Sequence, residues 1–402
     1  MRKALAHQEP DRVPVDLGGM GSTGISALAY SELKKYLGIK EGEVRVWDVA
    51  QMLAWVEEPV RERLGIDVVG LPNFRAGWGE NWNVNNADGY KPWQPEGWPC
   101  LMMPSGFTTE TDESGNVFLL SREGKRVAVM PSSGYYFDPL PVKPAPLPKI
   151  QDFTLPDSLS DQELRYYERT ARSLYENTHY AVLGAAVGYG LFWLQAGGME
   201  NWLCSIYEEP EAVGEILDKA VECNIPVIEQ YNQAAGKYVE AVVFADDLGT
   251  QNSEWFSADI FREVFAPHYK KVFSWIHEHT SLKVFLHCCG SIPNLIEPLI
   301  ECGVDILNPV QTSAQGMDPS WLKKTFGDCL VFWGGGVDTQ NKLPFAPRYE
   351  LVEDVKERIR IFAPGGGYIF NPIHNIQAGT SPEKIVACYD TAQEFGVYPL
   401  AA

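Results

Sequence analysis

Eight short apolar runs, each followed by a longer segment of helical character, constrain the fold of this chain most strongly. The runs are Val13–Leu17, Ile66–Leu71, Tyr180–Val187, Ala241–Ala245, Leu282–His287, Val304–Asn308, Cys329–Trp333 and Gly367–Asn371. They are almost continuously hydrophobic, which is typical of parallel strands that are buried on both faces. Eight strand–helix units predict an α/β fold, a (β/α)₈ TIM barrel, with residues 1–402 as a single domain.

The segments between these runs have the apolar periodicity of amphipathic helices. The clearest is Ser257–Thr280, whose apolar residues fall on one stripe. The others are Trp47–Leu64, Glu211–Gln230, Ile292–Cys302, Tyr349–Phe362 and Pro382–Phe395. A helix is therefore predicted for each.

One region interrupts this alternation between the second and third strands. Residues from Trp93 to Phe137 have the turn signals of a β-meander, and the proline-rich Pro139–Pro148 predicts an extended connector. We interpret residues 93–148 as an insertion that folds over one end of the barrel, either as a lid or as a peripheral addition.

The charge balance excludes several classes of partner. The net charge is −20, from 33 basic and 53 acidic residues, which argues against binding to nucleic acid or to an anionic membrane. No run of about 18 apolar residues and no signal-peptide pattern occurs. Eight cysteines without the dense spacing of a disulfide scaffold predict reduced thiols and a cytoplasmic protein.

Polar residues concentrate where the predicted strands end, which is where barrel enzymes carry their active sites. The sharpest group is His287-Cys288-Cys289-Gly290, at the end of the fifth strand. Residues two apart in a strand point to the same side, so His287 and Cys289 can converge while Cys288 points away. Imidazole and thiolate are good zinc ligands, and two of them make half of a tetrahedral site. The alternative is a buried histidine satisfied by a backbone carbonyl beside two packing cysteines.

A catalytic zinc needs a third protein ligand. His374 follows the eighth strand at the same end and is the candidate, although it could equally hydrogen-bond to a backbone group or substrate. Cys329 is a rival by chemistry, but it begins its strand and so lies several residues away from the reactive end.

Three aspartates at the strand ends are candidate catalytic groups. Asp246 and Asp247 follow the fourth strand and alternate in direction, so at most one should point into the mouth. Asp338 follows the seventh strand. Each could orient substrate, support the histidine or act as a general acid, and the structural alternative is helix capping in the next loop. The candidate substrate-binding residues are Asn308, Gln311, Asn371, Asn375 and Trp333.

The motifs together resemble the uroporphyrinogen decarboxylase superfamily, which includes zinc-containing, cobalamin-dependent methyltransferases. The resemblance rests on Glu9–Val15, Asp246–Gly249, the His-x-Cys-Gly of 287–290, Asp305–Gln311, Phe332–Gly335 and Gly379–Glu383. The arginine-rich segment typical of the decarboxylases is absent near the N-terminus, where Leu17–Ile25 stands instead. His-x-Cys-Gly is similar to the zinc motif of the methyltransferases. At the third ligand these methyltransferases have a cysteine near the position of His374, and the decarboxylases have a histidine in a Gly-His-Gly-Ile context.

This resemblance implies a zinc-dependent methyltransferase that moves a methyl group between a small O-, S- or N-methyl substrate and a corrinoid protein. Zinc, with His287 and Cys289 as ligands, and a corrinoid on the partner are the implied cofactors, and a homodimer is the implied assembly. His374 is the candidate third ligand by its position, although His374-Asn375 departs from both patterns. The alternative is a metal-independent decarboxylase in which His374 and Asp247 handle protons. A third reading is a non-catalytic barrel that binds a corrinoid or another ligand.

Overall fold

Parallel strands form the centre of this α/β protein. A computed structural model describes residues 1–74, 89–141 and 143–400. The parallel strands are β3 (Val68–Gly70), β10 (Ala181–Leu183), β11 (Ala241–Ala245), β12 (Lys283–His287), β13 (Ile306–Asn308), β14 (Val331–Trp333) and β15 (Tyr368–Ile369). β11 to β15 pair in chain order in one five-stranded sheet, and β10 pairs with β3. All seven lie within the apolar runs of the sequence.

The first apolar run, Val13–Leu17, is extended but makes only single bridges. Pro14 has no N–H to donate, which prevents a regular ladder here. The Pro14 carbonyl accepts from Phe370 N and Asp16 N donates to the Phe370 carbonyl, both at 2.8 Å, so the run lies beside the end of β15. On its other side, Asp67 N donates to the Val15 carbonyl at 2.8 Å. A further bond, Glu240 N to the Val182 carbonyl at 2.9 Å, joins β10 to β11.

Side chains on the two faces of the strands enter two separate cores. Val243, Phe285 and Ile369 belong to a small apolar cluster with members from each of the seven parallel strands. Their neighbours in sequence, such as Phe244 and Leu286, pack into the large core that also contains the helices. Burial on both faces explains why these runs are continuously apolar and do not alternate with polar residues.

The helices follow the strands as the sequence predicts, with one exception. They are α1 (Arg2–Leu5), α2 (Ala27–Tyr36), α3 (Glu58–Leu64), α4 (Asp161–Asn177), α5 (Met199–Glu208), α6 (Pro210–Ala235), α7 (Ala258–Ile260), α8 (Ala266–His279), α9 (Ile296–Cys302), α10 (Pro319–Phe326), α11 (Lys342–Phe345), α12 (Arg348–Phe362) and α13 (Pro382–Phe395). A π-helical turn, Phe261–Phe265, joins α7 to α8 without a break, next to Pro267, which cannot donate a helical hydrogen bond.

The helix predicted at Trp47–Leu64 is wrong over most of its length. Strands β1 (Val46–Asp48) and β2 (Leu53–Ala54) form an antiparallel hairpin there, and only α3 at its end is helical. Met52 takes a left-handed φ of 53°, which a helix cannot accommodate, and Pro59 marks where the helix begins. The apolar residues of the hairpin and of the short helix that follows happen to have the spacing of one amphipathic helix.

Antiparallel strands occupy the chain between β3 and β10. They are β4 (Tyr90–Trp93), β5 (Leu101–Pro104), β6 (Thr109–Thr111), β7 (Val117–Leu120), β8 (Arg126–Met130) and β9 (Asp138–Pro139). β4 pairs with β5, and β6 to β9 form a four-stranded sheet in chain order. Among the described residues, no helix is both long and apolar enough to cross a membrane.

Candidate metal centre

Three side chains with metal-binding atoms meet beyond the carboxyl ends of the parallel strands. One ligand atom each from His287, Cys289 and His374 lies within 4.8 Å of the other two. His287 Nε2 and Cys289 Sγ are 3.4 Å apart, and the rings of His287 and His374 are 6.0 Å apart between centroids. The two residues expected on the fifth strand and the one expected after the eighth therefore lie together.

The end of β12 determines the direction of the two cysteines. His287 is the last strand residue, and Cys289 continues on its side. Cys288 points the other way, is buried, and accepts a hydrogen bond from Leu248 N at 3.4 Å. Gly290 then turns the chain at φ 101°, where a Cβ would lie 2.5 Å from the backbone of Gly249. Only glycine permits this close approach.

Asn308, at the end of β13, fixes which nitrogen of His287 carries the proton. Its Nδ2 donates to the Trp333 carbonyl at 2.9 Å, so Oδ1 must be the atom that faces Ser22 and His287. Oδ1 accepts from Ser22 Oγ at 2.6 Å and from His287 Nδ1 at 2.9 Å. With the proton on Nδ1, the lone pair of Nε2 is left facing Cys289, which is the tautomer that a metal ligand requires.

Asp247 lies beside the same three side chains. Its Oδ1 accepts the Cys289 N–H at 2.7 Å and is 3.7 Å from His287 Nε2. The Asp247 carboxylate thus fixes the backbone of Cys289 and adds negative charge beside Cys289 and His287.

Burial shifts the pKa values of the other two candidate ligands in opposite directions. Burial, and next the neighbouring His287 ring, lower the pKa of His374 to about 4, so its imidazole is neutral near pH 7. Burial and the Asp247 carboxylate raise the pKa of the Cys289 thiol well above its usual range. A divalent cation would reverse the second effect, because it stabilises the thiolate directly.

The donor set fits zinc. Tetrahedral zinc with nitrogen and sulfur ligands separates neighbouring donor atoms by roughly 3.3–3.6 Å. The 3.4 Å between His287 Nε2 and Cys289 Sγ falls in that range, and three protein ligands leave one position open. An open fourth position distinguishes catalytic from structural zinc sites.

Asp246, expected as a catalytic candidate, is not brought into this group. It is fully buried on the opposite side of the strand end, and its carboxylate accepts from Leu191 N at 2.7 Å, Trp193 N at 2.8 Å and the Tyr269 hydroxyl at 2.7 Å. Burial raises the pKa of Asp246 to about 7 against the opposing effect of these bonds. This geometry makes Asp246 an anchor for the loop after β10.

Two of the expected substrate-binding amides support the centre indirectly. Gln311 accepts Gly290 N at 2.7 Å and donates to Gln251 at 2.9 Å, so its polar atoms hold the turn after Cys289. Asn375 follows His374 and donates to Gln51 Oε1 at 2.5 Å. Both are buried.

Asn371 is also buried, and it donates to the Pro372 carbonyl at 2.5 Å. Its Oδ1 has no hydrogen-bond partner among the described residues. It is therefore the one amide of the expected set with a free acceptor.

Two expected site residues are placed elsewhere. Trp333 is 2% exposed, packs against Phe285 and donates its indole N–H to Asp16 at 2.9 Å, so it has almost no surface for a substrate. Asp338 accepts from Gln340 N, Asn341 N and Asn341 Nδ2, which makes it the cap of the turn before α11. The capping alternative considered for Asp338 describes this geometry.

A cavity of about 140 Å³ lies at the carboxyl ends of β3 and β10. None of the three candidate ligands is among its described lining residues, but Gly21 of its wall precedes Ser22, which donates to Asn308. Its wall includes the glycine-rich loop after the first apolar run, the segment after β3 and the hairpin residues Trp47, Asp48 and Trp55. Sequence reasoning missed these hairpin residues because it placed them on a helix. It also missed Ser22, although the glycines around Ser22 could have indicated a loop that approaches other backbone closely.

Comparison with solved structures shows a common fold. A methyltransferase from Methanosarcina mazei is similar over 98% of this chain and 97% of that one, with a TM-score of 0.57 and 16% sequence identity. An endo-1,4-beta-xylanase from Caldicellulosiruptor owensensis matches 52% of this chain and 70% of its own, with a TM-score of 0.29 and 12% identity. Malate synthase of Haloferax volcanii matches 60% and 64%, with a TM-score of 0.26 and 12% identity. The last two scores are too low to support an argument, and no curated protein sequence matches the chain.

Family comparison gives a more specific result. The family described as uroporphyrinogen decarboxylase (URO-D) matches residues 126–395, which is more than half of the chain. The matched range contains all three candidate ligands together with Asp247 and Asn308. The chain belongs to the uroporphyrinogen decarboxylase family.

Proposed function

We propose that this protein is a zinc-dependent methyltransferase that moves a methyl group between a small methylated substrate and a corrinoid carried by a partner protein. The observation that carries the proposal is the convergence of His287, Cys289 and His374, with Asn308 holding His287 in the ligand tautomer. A buried histidine that served packing alone would not need its free lone pair directed at a thiol.

In this proposal His287, Cys289 and His374 hold the zinc. The ion supplies a Lewis acid next to the heteroatom that gains or loses the methyl group. Asp247 keeps Cys289 in place through the Cys289 N–H and adds negative charge that favours a cation at the three ligands. Asn308 and Ser22 keep His287 oriented without contacting the substrate.

The cavity at the ends of β3 and β10 is the proposed substrate site. It is small, and glycine, alanine, leucine and tryptophan residues make up much of its wall. A small methylated compound suits this space, and the side facing the three ligands is where its methyl group would lie. The corrinoid protein would approach from the same end of the strands.

We also propose that the parallel strands close into a (β/α)₈ barrel with residues 93–148 as an insertion. Two observations support closure: the small core with members from seven strands, and the backbone hydrogen bonds that connect Val13–Leu17 to Phe370 on one side and to Asp67 on the other. We expect a homodimer, as the family resemblance implies.

A metal-free decarboxylase is the alternative, and the composition of the cavity wall argues against it. Among the described residues that line the cavity, none is lysine or arginine, the side chains that most commonly pair with the carboxylate of an acid substrate.

Zinc stoichiometry tests the proposal. We expect about one zinc per chain in the purified protein and a loss of most of it in Cys289→Ala, because three protein ligands define the site. Cys288→Ala is the matched control, since Cys288 points away from the ligands and should keep full zinc content. Methyl transfer to a reduced corrinoid protein should require the same zinc.

Carbon dioxide release from an acid substrate that survives in both His287→Ala and Cys289→Ala would support the decarboxylase. Zinc content below about half an equivalent, unchanged in Cys289→Ala, would remove the basis of the methyltransferase proposal.

A further inference from the structure

The described wall of the cavity includes one aspartate and two tryptophans, all from one hairpin. Trp47 and Asp48 lie on β1, and Trp55 follows β2. The remaining described lining is glycine, alanine, valine, leucine, proline, methionine and one asparagine. At about 140 Å³ the cavity admits a compound near benzene in size, since a cavity of roughly 150 Å³ holds benzene.

Asp48 has no cationic partner among the described residues. Its Oδ1 accepts the Gln51 N–H at 2.9 Å, and the Ala50 N–H also donates to the carboxylate. Burial raises the pKa of this carboxyl, which reflects how poorly it is solvated. Asp48 is half-buried, and a carboxylate that loses part of its hydration is stabilised by a compensating positive charge.

The two tryptophans suit a positively charged occupant. Indole is the best aromatic partner for a cation because its face carries negative electrostatic potential. Trp55 already contacts one cation in this chain, the guanidinium of Arg61, at 5.8 Å from the ring centroid. The net charge of −20 also favours the approach of cations over anions to the protein as a whole.

Glycines keep the rest of the wall close and narrow. At Gly70 a Cβ would lie 2.1 Å from the Gly19 carbonyl oxygen, so both backbones can approach only without a side chain. An occupant that fills the cavity would displace water from beside Asp48, and attraction between charges strengthens as water is excluded.

Asp48 is connected to the metal centre by a short series of hydrogen bonds. Gln51 donates its N–H to Asp48 and accepts from Asn375 Nδ2 at 2.5 Å through its side chain. Asn375 is the neighbour of His374. Two hydrogen bonds and one peptide bond therefore separate Asp48 from His374.

We propose that this cavity binds a small methylated ammonium compound, with Asp48 as its counter-ion and Trp47 and Trp55 as its aromatic contacts. The identification of this cation as the methylated substrate rests on the proposed function. Its binding in the cavity is independent of that function.

Binding of choline, compared with its uncharged carbon isostere 3,3-dimethylbutan-1-ol, tests the proposal by calorimetry on the full chain. The two compounds have the same shape and differ in the charge. We expect saturable choline binding that is about tenfold or more tighter than binding of the isostere. Equal affinities, or no choline binding at millimolar concentration, would overturn the proposal without any variant.

Variants then locate the charge. Asp48→Asn should weaken choline binding roughly tenfold and leave the isostere unaffected, because only the charge is lost. Asp259→Asn is the matched control: Asp259 is exposed on α7, so the variant removes one charge from the surface and should bind choline as the wild type does. If Asp48→Asn binds choline normally, or if Asp259→Asn weakens it equally, the assignment to Asp48 is wrong.

A zinc-free variant separates this inference from the proposed function. Cys289→Ala should retain choline binding, since Cys289 does not line the cavity. Choline binding in a protein that holds no zinc would support the cation site while the methyltransferase proposal fails. Loss of choline binding in a folded Cys289→Ala variant would contradict a cation site built on Asp48.

Discussion

At the scale of single residues, Asn308 has the largest influence on the candidate metal centre. One amide orientation satisfies three partners at once: the Trp333 carbonyl, the Ser22 hydroxyl and His287 Nδ1. Because Nδ2 donates to the Trp333 carbonyl, the amide must be oriented with Oδ1 towards Ser22 and His287, and Oδ1 can only accept hydrogen bonds. The proton of His287 is thereby held on Nδ1, and Nε2 is left free for a metal.

We expect Asn308→Ala to lower zinc affinity roughly 10- to 100-fold, the usual effect of losing the partner of a ligating histidine. Competition with a fluorescent chelator measures this. Asn224→Ala is the matched control, since Asn224 is an equally buried amide that bonds to both polar backbone atoms of Tyr189, outside the metal centre. Similar loss of affinity in both variants would show a general effect of destabilisation.

Asp16 predicts a pH dependence of stability. Burial raises the pKa of Asp16 to about 6 in the folded chain, against 3.8 for an ordinary aspartate. The folded state then holds this proton more tightly than the unfolded state, so the stability that Asp16 contributes is present at low pH and is lost as pH rises towards and through 6.

Between pH 5 and 7, both above the sequence pI of 4.8, this loss should be about 1 kcal/mol. The measurement is the free energy of unfolding in urea for wild type and Asp16→Asn across that range. The difference, wild type minus variant, should fall with rising pH. A difference that rises or stays constant would show that the folded pKa is not raised.

Residues at the site were predictable to different degrees. The direction of His287 and Cys289 follows from strand alternation alone, and the alternation of Asp246 and Asp247 likewise allowed only one of them to face the mouth. Trp333 and Asp338 were not predictable in this way. A side chain at a strand end can face the mouth, the enclosed core or the following turn, and only packing with distant residues such as Asp16 and Phe285 decides among them.

At the scale of elements, Asp246 connects β11 to the loop after β10. Its carboxylate accepts two backbone N–H groups of that loop, from Leu191 and Trp193, and the hydroxyl of Tyr269 on α8. Gly190 lies against the same carboxylate, where a Cβ would be 2.7 Å from Asp246 Oδ1. Three elements are therefore held by one buried side chain.

We expect Asp246→Ala to lower the free energy of unfolding by about 2–4 kcal/mol, because three buried donors lose their acceptor. Hydrogen exchange of the Leu191 and Trp193 amides should increase more than that of other buried amides. Asp247→Ala, the neighbouring control, should cost less than about 1 kcal/mol, since Asp247 is partly exposed. Equal costs for the two variants would contradict the anchoring role.

Helices were predicted correctly where the apolar periodicity continued along the whole segment and residues at both ends indicated where the helix starts and stops. The segment Ser257–Thr280 is one such case: Ser257 caps the start through a bond from Ile260 N, and Thr280 ends the helix. Trp47–Leu64 failed because the left-handed turn at Met52 depends on tertiary contacts and leaves no signal in the hydrophobic pattern. For the same reason, the sequence did not predict that Asp48 and the two tryptophans line the cavity.

At the scale of the whole molecule, the residues of the candidate metal centre come together only in the folded chain. Its ligands and their supports come from the ends of β11, β12 and β13, from Ser22 near the N-terminus and from His374 after β15. An unfolded chain separates these groups by tens to hundreds of residues. A metal that binds all of them therefore binds the native state far better than the unfolded state, and its binding energy adds to stability.

Removal of zinc should consequently lower Tm. Zinc present at about 100 times its Kd adds about 2.7 kcal/mol of stability, and for a chain of this size that corresponds to a shift of roughly 2–6 °C. Differential scanning calorimetry with and without a chelator measures it. Cys288→Ala should show the same chelator-dependent shift as the wild type, and Cys289→Ala should show none. A shift of equal size in Cys289→Ala would mean that the stabilising metal binds at another site, because this variant lacks one of the three ligands that the proposed site requires.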